Sequence, residues 1–380
     1  MSEAIRDRPV DIDELKSLAT SSIALIEELQ DVSGAYPASP TFSAYRGYSW
    51  FRDGAFIADA VSSAGRRDSA TAFFDWCSSI VLARRDRIED IVGRAADGTP
   101  APDRDMLPTR FTLDGQDGDD EWWDFQLDGY GTWLWAVVEH SRRHSIDLAR
   151  WSPAILLTVD YLLSSWSRPC FDWWEESAEH VHVSTLGCIA AGLSAVTQTG
   201  IIDPTRLAQC WAVAAEILDL IRAHGTTNHH LAKWLGSSDV DASLLAVVSP
   251  LAVIPSSDPL ARNTIAAVER ELTHDGGVHR YARDTFFGGG QWPLLTCFLG
   301  LADAAAGSRE LAMERLRWAA STADSDQQFP EQVGWHLLDP TMVDEWVGRW
   351  GSVARPLLWS HAMYVRLAVE LGVLDDRGEA

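Results

Sequence analysis

The chain is short of cysteine, of positive charge and of long apolar runs, and each shortage excludes something. Its five cysteines, Cys77, Cys170, Cys188, Cys210 and Cys297, are scattered without CxxC spacing. An odd, unpatterned set predicts reduced thiols and argues against a disulfide framework or a zinc site. No run of about 18 apolar residues occurs, so no membrane-spanning helix is expected. The segment Met1 to Lys16 is charged and lacks an apolar h-region, which predicts no signal peptide and a cytoplasmic protein. Lys plus Arg total 31 against 55 Asp plus Glu, a formal net charge of −24, which argues against nucleic acid or an anionic membrane as partner. There is no GxSxG elbow, no GK[ST] phosphate loop and no HExxH pair, so a serine hydrolase, a P-loop enzyme and a catalytic metal are not expected, and no cofactor is implied.

What is abundant is tryptophan, 18 residues in a chain of 380. Such a surplus suits a groove that binds by stacking. In Phe171-Asp172-Trp173-Trp174-Glu175-Glu176-Ser177 three carboxylates stand against two adjacent indoles. Carboxylates prefer water and indoles prefer burial, so the combination is costly unless the site handles something both polar and flat-faced. Sugars answer to that description. An apolar wall also raises a carboxyl pKa, which keeps a glutamic acid protonated near neutral pH. The same residues could equally open an amphipathic helix with an acidic first turn.

Along the chain, helical spacing predicts twelve helices near 11–29, 54–65, 68–85, 128–143, 151–167, 183–198, 204–225, 240–248, 257–272, 291–304, 307–322 and 356–372. Asp203-Pro204 and Ser257-Asp258-Pro259 are start signals for two of them. Twelve helices with no evident sheet predict an all-α chain, an (α/α)6 barrel of six inner and six outer helices, and a single domain over 1–380. The unusual residues precede even-numbered helices. Those would be the inner ones, so their loops should meet at one end of the barrel.

Three further segments carry candidate chemistry. In Tyr48-Ser49-Trp50-Phe51-Arg52-Asp53, fork-shaped donors sit beside acceptors, a set suited to vicinal hydroxyls, although Asp53 also reads as a simple helix cap. In Arg280-Tyr281-Ala282-Arg283-Asp284, followed by Gly288-Gly289-Gly290, Gln291 and Trp292, glycines permit close backbone approach to a ligand. In Phe329-Pro330-Glu331-Gln332, a glutamate in an aromatic loop could serve as a base.

Together, WFRDGAF at 50–56, QLDGYG at 126–131, DWWEES at 172–177, RYARDTFFGGGQWPLLT at 280–296, FPEQ at 329–332 and LLWSHA at 357–362 resemble glycoside hydrolase family 15, the glucoamylase-like family, in family order over roughly 45–375. The resemblance implies an (α/α)6 barrel and an inverting glycosidase. It implies Glu175 as general acid and Glu331 as general base, with a carboxyl separation of about 6.5–9.5 Å to admit water. Arg52 and Asp53 match the clamp on the terminal glucose, with Arg280 as a further donor. Trp122 matches a wall near the acid, and Asp172 would tune the acid. Glu176 would face the leaving-group sugar. Trp50 and Trp292 would line the pocket, with Tyr48 and Trp174 as further substrate contacts. Departures at Arg46 and at Ala282-Arg283-Asp284 put an α-1,4 preference in doubt. A short, single-barrel member without an N-terminal β-sandwich looks most like those that release glucose from isomaltose and short α-1,6-linked oligosaccharides. Glucoamylase, glucodextranase and trehalase activities stay open, as do, in other classes, a glycoside phosphorylase and a non-catalytic sugar-binding protein.

Overall fold

The structure, a computed structural model, describes residues 11–122 and 125–374. Among them the chain forms α1 (Ile12–Leu29), α2 (Phe51–Ser63), α3 (Arg67–Ala83), α4 (Arg85–Ala96), α5 (Asp128–His144), α6 (Ser152–Ser165) and α7 (Val183–Val196). There follow α8 (Pro204–His224), α9 (Leu245–Val248), α10 (Pro259–Leu272), α11 (Pro293–Ala305), α12 (Arg309–Ala320), α13 (Val343–Trp350) and α14 (Leu358–Glu370). The start signals read from sequence act as expected. Asp203 accepts from the amides of Thr205 and Arg206 with Pro204 in the first turn of α8, and Asp258 accepts from Leu260 N–H ahead of Pro259 in α10.

The helices sort into two rings by their apolar patterns. Each of α2, α5, α7, α9 and α11 packs on the next, α11 packs on α14, and α14 returns to α2. This inner ring is covered on all sides: every residue of α2 is buried, as are nearly all of α7 and α11. A helix with no polar face has nowhere to go but inside. α1, α3, α6, α8, α10 and α12 pack outside it and keep a solvent face; α8, for example, buries only the stripe Cys210, Ala214, Ile217 and Ile221. The result is the expected double ring. Phe56, Trp173, Phe298 and Trp359 fill its axis, with Phe56 stacked on Trp359 at 5.7 Å and 13° and on edge to Phe298 at 5.2 Å. All five cysteines are buried and unpaired.

Two helices were not expected. α4 buries only Ile88 and Ile91, too narrow a stripe to show against its charged residues, and α13 buries nothing fully. The predicted helix at 240–248 is a 3-10 turn, Ala242–Leu244, followed by the single turn of α9, so one inner position is filled by a very short element. Three two-stranded antiparallel pairs also occur among the described residues. They are β1 (Tyr48–Trp50) with β2 (Arg110–Thr112), β3 (Thr226–Thr227) with β4 (His230–Leu231), and β5 (Thr273–His274) with β6 (Gly277–Val278).

The inner ring closes tightly because glycines face each other between α5 and α7. A Cβ added at Gly131 would sit 2.4 Å from the Cys188 carbonyl oxygen, and one at Gly192 2.4 Å from that of Gly131. Neither neighbour can yield, since both are helix backbone. Gly131→Ala should therefore lower stability by about 2 kcal/mol in denaturant unfolding. Gly93→Ala, on α4 with nothing within 4 Å of the added atom, should be neutral or stabilise by up to about 1 kcal/mol. Equal midpoints for the two variants would show that α5 and α7 do not depend on this approach.

Candidate active site

The loops entering the inner helices converge on a pocket of ≈ 230 Å³ at one end of the barrel. Trp173 and Trp359, the same rings that plug the barrel axis, form its floor, so it is blind. Of the residues singled out from sequence, Trp50, Arg52, Asp53, Trp122, Trp174, Glu175, Glu176, Arg280, Trp292 and Glu331 line it. Tyr48 and Asp172 do not.

Arg52 organises one side. It lies in the first turn of α2 and is 3% exposed. Its Nη1 donates to Gln126 Oε1 at 2.7 Å and to Asp128 Oδ2 at 3.0 Å, and its Nε donates to Asp53 Oδ1 at 3.2 Å. Its Nη2 stands 3.7 Å from Glu175 Oε1. The guanidinium carbon lies 5.7 and 5.4 Å from the ring centroids of Trp173 and Trp359, which pack on each other at 5.5 Å. Gln126 and Asp128 were visible only as part of the QLDGYG motif; no local property marked them as partners of Arg52. Burial pushes the Asp53 carboxyl up to about 6, against the pull of Arg52.

Glu175 sits on a tight turn, not on a helix start. Asp172 Oδ1 accepts from the amides of Trp174 and Glu176, both at 2.9 Å, and this local ring of hydrogen bonds shapes the turn. Glu175 takes a left-handed φ of 57°, a conformation that costs of order 1 kcal/mol and aims its side chain. Trp50 Nε1 donates to Glu175 Oε1 at 3.0 Å. Burial raises the Glu175 carboxyl to about 7; Arg52 opposes the rise and Asp53 adds to it. Asp172 stands behind this turn, 3.4 Å from Lys233 Nζ, which in turn lies 3.2 Å from Asp241 Oδ2. Asp241 also accepts from Trp174 Nε1 at 2.9 Å, so this buried trio holds the indole wall in place. Asp172 thus shapes the turn from outside the pocket and does not line it.

On the far wall, Glu176 accepts from Tyr281 Oη at 2.5 Å and lies 3.5 Å from Arg280 Nη2. Arg280 is held chiefly by Asp284, through Nε at 2.8 Å and Nη2 at 2.5 Å, and its guanidinium faces Trp174, Phe286 and Trp292. Burial raises the Glu176 carboxyl.

Glu331 also lines the pocket, 2% exposed, with its amide donating to the Ala354 carbonyl at 2.9 Å. Its loop is braced by the Gln291–Val333 backbone pair and by Gln332 Oε1, which accepts from Gly290 N–H at 2.7 Å. The glycine run therefore serves this brace: a Cβ on Gly290 would meet the Val333 carbonyl oxygen at 2.4 Å. Tyr45 Oη donates to Glu331 Oε1 at 2.8 Å, while Oε2 is buried with no protein partner. Burial raises the carboxyl to about 8; the Tyr45 hydrogen bond and Arg280 oppose the rise, and Glu175 and Asp53 add to it. An ionised Glu175 makes ionisation of Glu331 costlier.

Tyr45 was not identified from sequence, where Tyr48 stood in its place. Tyr48 instead covers the Arg110 guanidinium at 3.8 Å and donates to Asp120 Oδ1 at 3.0 Å, outside the pocket. Arg46 is exposed, and Arg283 pairs with Asp239 on the surface. The unexpected α13 lays Trp346, Arg349 and Trp350 across the pocket mouth, with Trp346 on edge to Phe286 at 5.0 Å and Trp350 to Trp122 at 6.3 Å.

Comparison with known proteins agrees with this geometry. The sequence model of glycosyl hydrolases family 15 matches residues 14–338. The chain is 52% identical over 378 residues to an isomaltose glucohydrolase of Kribbella flavida, across 98% of each chain. The solved structure of a glycosidase variant in complex with glucose superposes with a TM-score of 0.93 at 52% identity, across 96% of this chain and 98% of that one. A glucoamylase from Saccharomycopsis fibuligera shares the fold, with a TM-score of 0.71 at 14% identity across 97% of each chain. Among the described residues no helix is long and apolar enough to cross a membrane. By its closed double ring, by its pocket of buried carboxyls and indoles, and by sequence over most of its length, this chain belongs to glycosyl hydrolases family 15.

Proposed function

We propose that the chain is an exo-acting, inverting glucosidase that releases β-glucose from the non-reducing end of isomaltose and short α-1,6-linked gluco-oligosaccharides. The observation that carries this reading is the blind pocket with Glu175 and Glu331 both in its wall, the first half-buried and the second buried, each held by different partners. A floor of packed indoles admits a chain end and not a chain middle. The isomaltose preference rests on the 52% identity to an isomaltose glucohydrolase.

In this reading the terminal glucose lies against Trp50 and Trp173, with Arg52 and Asp53 meeting its hydroxyls. Glu175, kept protonated by burial, gives its proton to the glycosidic oxygen as the bond to C1 breaks. Glu331 acts from the other face. Its Oε1 is engaged by Tyr45, which leaves Oε2 to orient a water and take its proton as the water attacks C1. Glu176, Arg280 and Trp292 face the leaving sugar, and α13 closes the mouth beyond it, which suits short substrates. Asp172 acts indirectly, by shaping the turn that aims Glu175.

The reading is tested by proton NMR of the protein with isomaltose, and separately with maltose, in phosphate-free buffer. β-Glucose should appear first, and faster from isomaltose. First appearance of α-glucose would sink inversion, and faster maltose cleavage would move the chain to a glucoamylase activity. Glu175→Gln and Glu331→Gln should each lower kcat by about 10²–10⁴-fold or more with circular dichroism unchanged. Near-normal turnover in either variant would remove that residue from its role.

The pair must carry one proton to work, on Glu175 and not on Glu331. Because burial raises both carboxyls, Glu175 to about 7 and Glu331 to about 8, both limbs of the kcat/KM profile should lie near neutral pH, well above the ordinary carboxylate range. Tyr45→Phe removes a donor that favours ionised Glu331, so the Glu331 pKa rises. A base that keeps its proton to higher pH is ionised in less of the enzyme near neutrality, so the maximum of kcat/KM should fall and a limb of its pH profile should move to higher pH. A profile with both limbs and its maximum unmoved would show that Tyr45 does not tune Glu331.

A further inference from the structure

Away from the pocket, His274, Asp275 and His336 bring two imidazoles and a carboxylate to one point on the surface, with one donor atom of each within 4.8 Å of the others. His336 Nε2 lies 3.0 Å and His274 Nδ1 3.6 Å from Asp275 Oδ2, and the two rings face each other with centroids 4.0 Å apart. Ligands held about 2.0–2.1 Å from a tetrahedral zinc-type ion stand about 3.4 Å from one another. The two spacings to Asp275 bracket that figure without any movement of the backbone.

The donors come from two loops that are distant in sequence and separately anchored. Asp275 and Gly276, with φ of 46° and 88°, form the two-residue turn of the β5–β6 hairpin, where positive φ at both positions matches the strand twist. That hairpin lies flat on Trp318: a Cβ on Gly277 would meet Trp318 Cζ2 at 2.1 Å. Trp335, beside His336, packs on edge against the same indole at 5.8 Å. Gln291 ties the two loops again, since its side chain donates to the carbonyls of His274 and Gly277 while its backbone pairs with Val333. Placement of the three donors is therefore built into the packing and does not wait for an ion.

We propose that His274, Asp275 and His336 form a surface site for a divalent transition-metal ion of the Zn²⁺ or Ni²⁺ kind, with water completing its shell. Two imidazoles and one carboxylate select such ions over Mg²⁺ and Ca²⁺, which take oxygen ligands. Bound there, the ion clips the β5–β6 hairpin to the loop that runs on from Glu331 toward α13, and by linkage it stabilises the folded chain. None of the three residues lines the pocket, so hydrolysis itself does not require the ion.

The test is calorimetric titration of Zn²⁺ into the chelator-stripped full chain, paired with thermal unfolding in Zn²⁺ and in Mg²⁺. The wild type should take up one saturable equivalent with micromolar affinity, and its unfolding midpoint should rise with Zn²⁺ but not with Mg²⁺. His336→Asn, which keeps a residue tolerant of the left-handed φ of 51°, should weaken binding roughly tenfold or more and abolish the rise. His274→Gln should do the same, and both should keep the metal-free midpoint and glucose release of the wild type. If one variant lowers the metal-free midpoint, the other decides. Absence of a saturable equivalent in the wild type, or wild-type Zn²⁺ binding in both variants, would overturn the site.

Discussion

A buried guanidinium with three carboxylates within 4 Å is the constraint on which this pocket depends. Arg52 starts α2, Asp128 starts α5, and Glu175 lies on the loop that leads to α7, three successive members of the inner ring. One cation thus ties three helix entries together. A charge taken out of water is tolerated only when it is fully paired, and removal of one partner typically costs about 3–5 kcal/mol. The loops therefore converge by electrostatic need as well as by ring topology. The rings of Trp173 and Trp359, packed on each other beside Arg52, add a cation–π contribution.

The same burial that demands pairing also sets the chemistry. Glu175 and Glu331 are two carboxyls in one cavity, and desolvation raises both. Their partners differ: an indole N–H and a nearby guanidinium for Glu175, a phenol donor for Glu331. That asymmetry gives the two carboxyls different proton affinities, about 7 for Glu175 and about 8 for Glu331. The tryptophan surplus has its explanation here too, because eight of the 18 indoles line the pocket, while Trp133 and Trp151 are fully buried in the rings around it.

Much of the fold was legible because helix periodicity is a local property. Twelve predicted helices have counterparts, and the start signals at Asp203 and Asp258 act as their residue types dictate. α4 and α13 escaped detection for a physical reason. α4 follows α3 after a single residue and is rich in charge, and the apolar stripe of α13, Val343, Trp346, Val347 and Trp350, spans only eight residues. α13 is held instead by indole contacts to Phe286 and Trp122, partners scores to hundreds of residues away in the chain. Asp172 was read as a tuning charge, yet its own hydrogen bonds are to amides two and four residues on. That Asp-turn habit is one the sequence does advertise.

The amino-acid sequence by itself determined the helix set, the carboxylate–indole segments and the family they belong to, because periodicity, caps and short motifs are written in neighbouring residues. Tertiary structure alone decided that Tyr45 and not Tyr48 reaches Glu331, a contact across 286 positions. It alone decided that Gln126 and Asp128 complete the Arg52 network, and that His336 meets the hairpin of His274 and Asp275. Proton affinities belong to the same class. They are set by burial and by partners distant in sequence, and neither exists until the rings close.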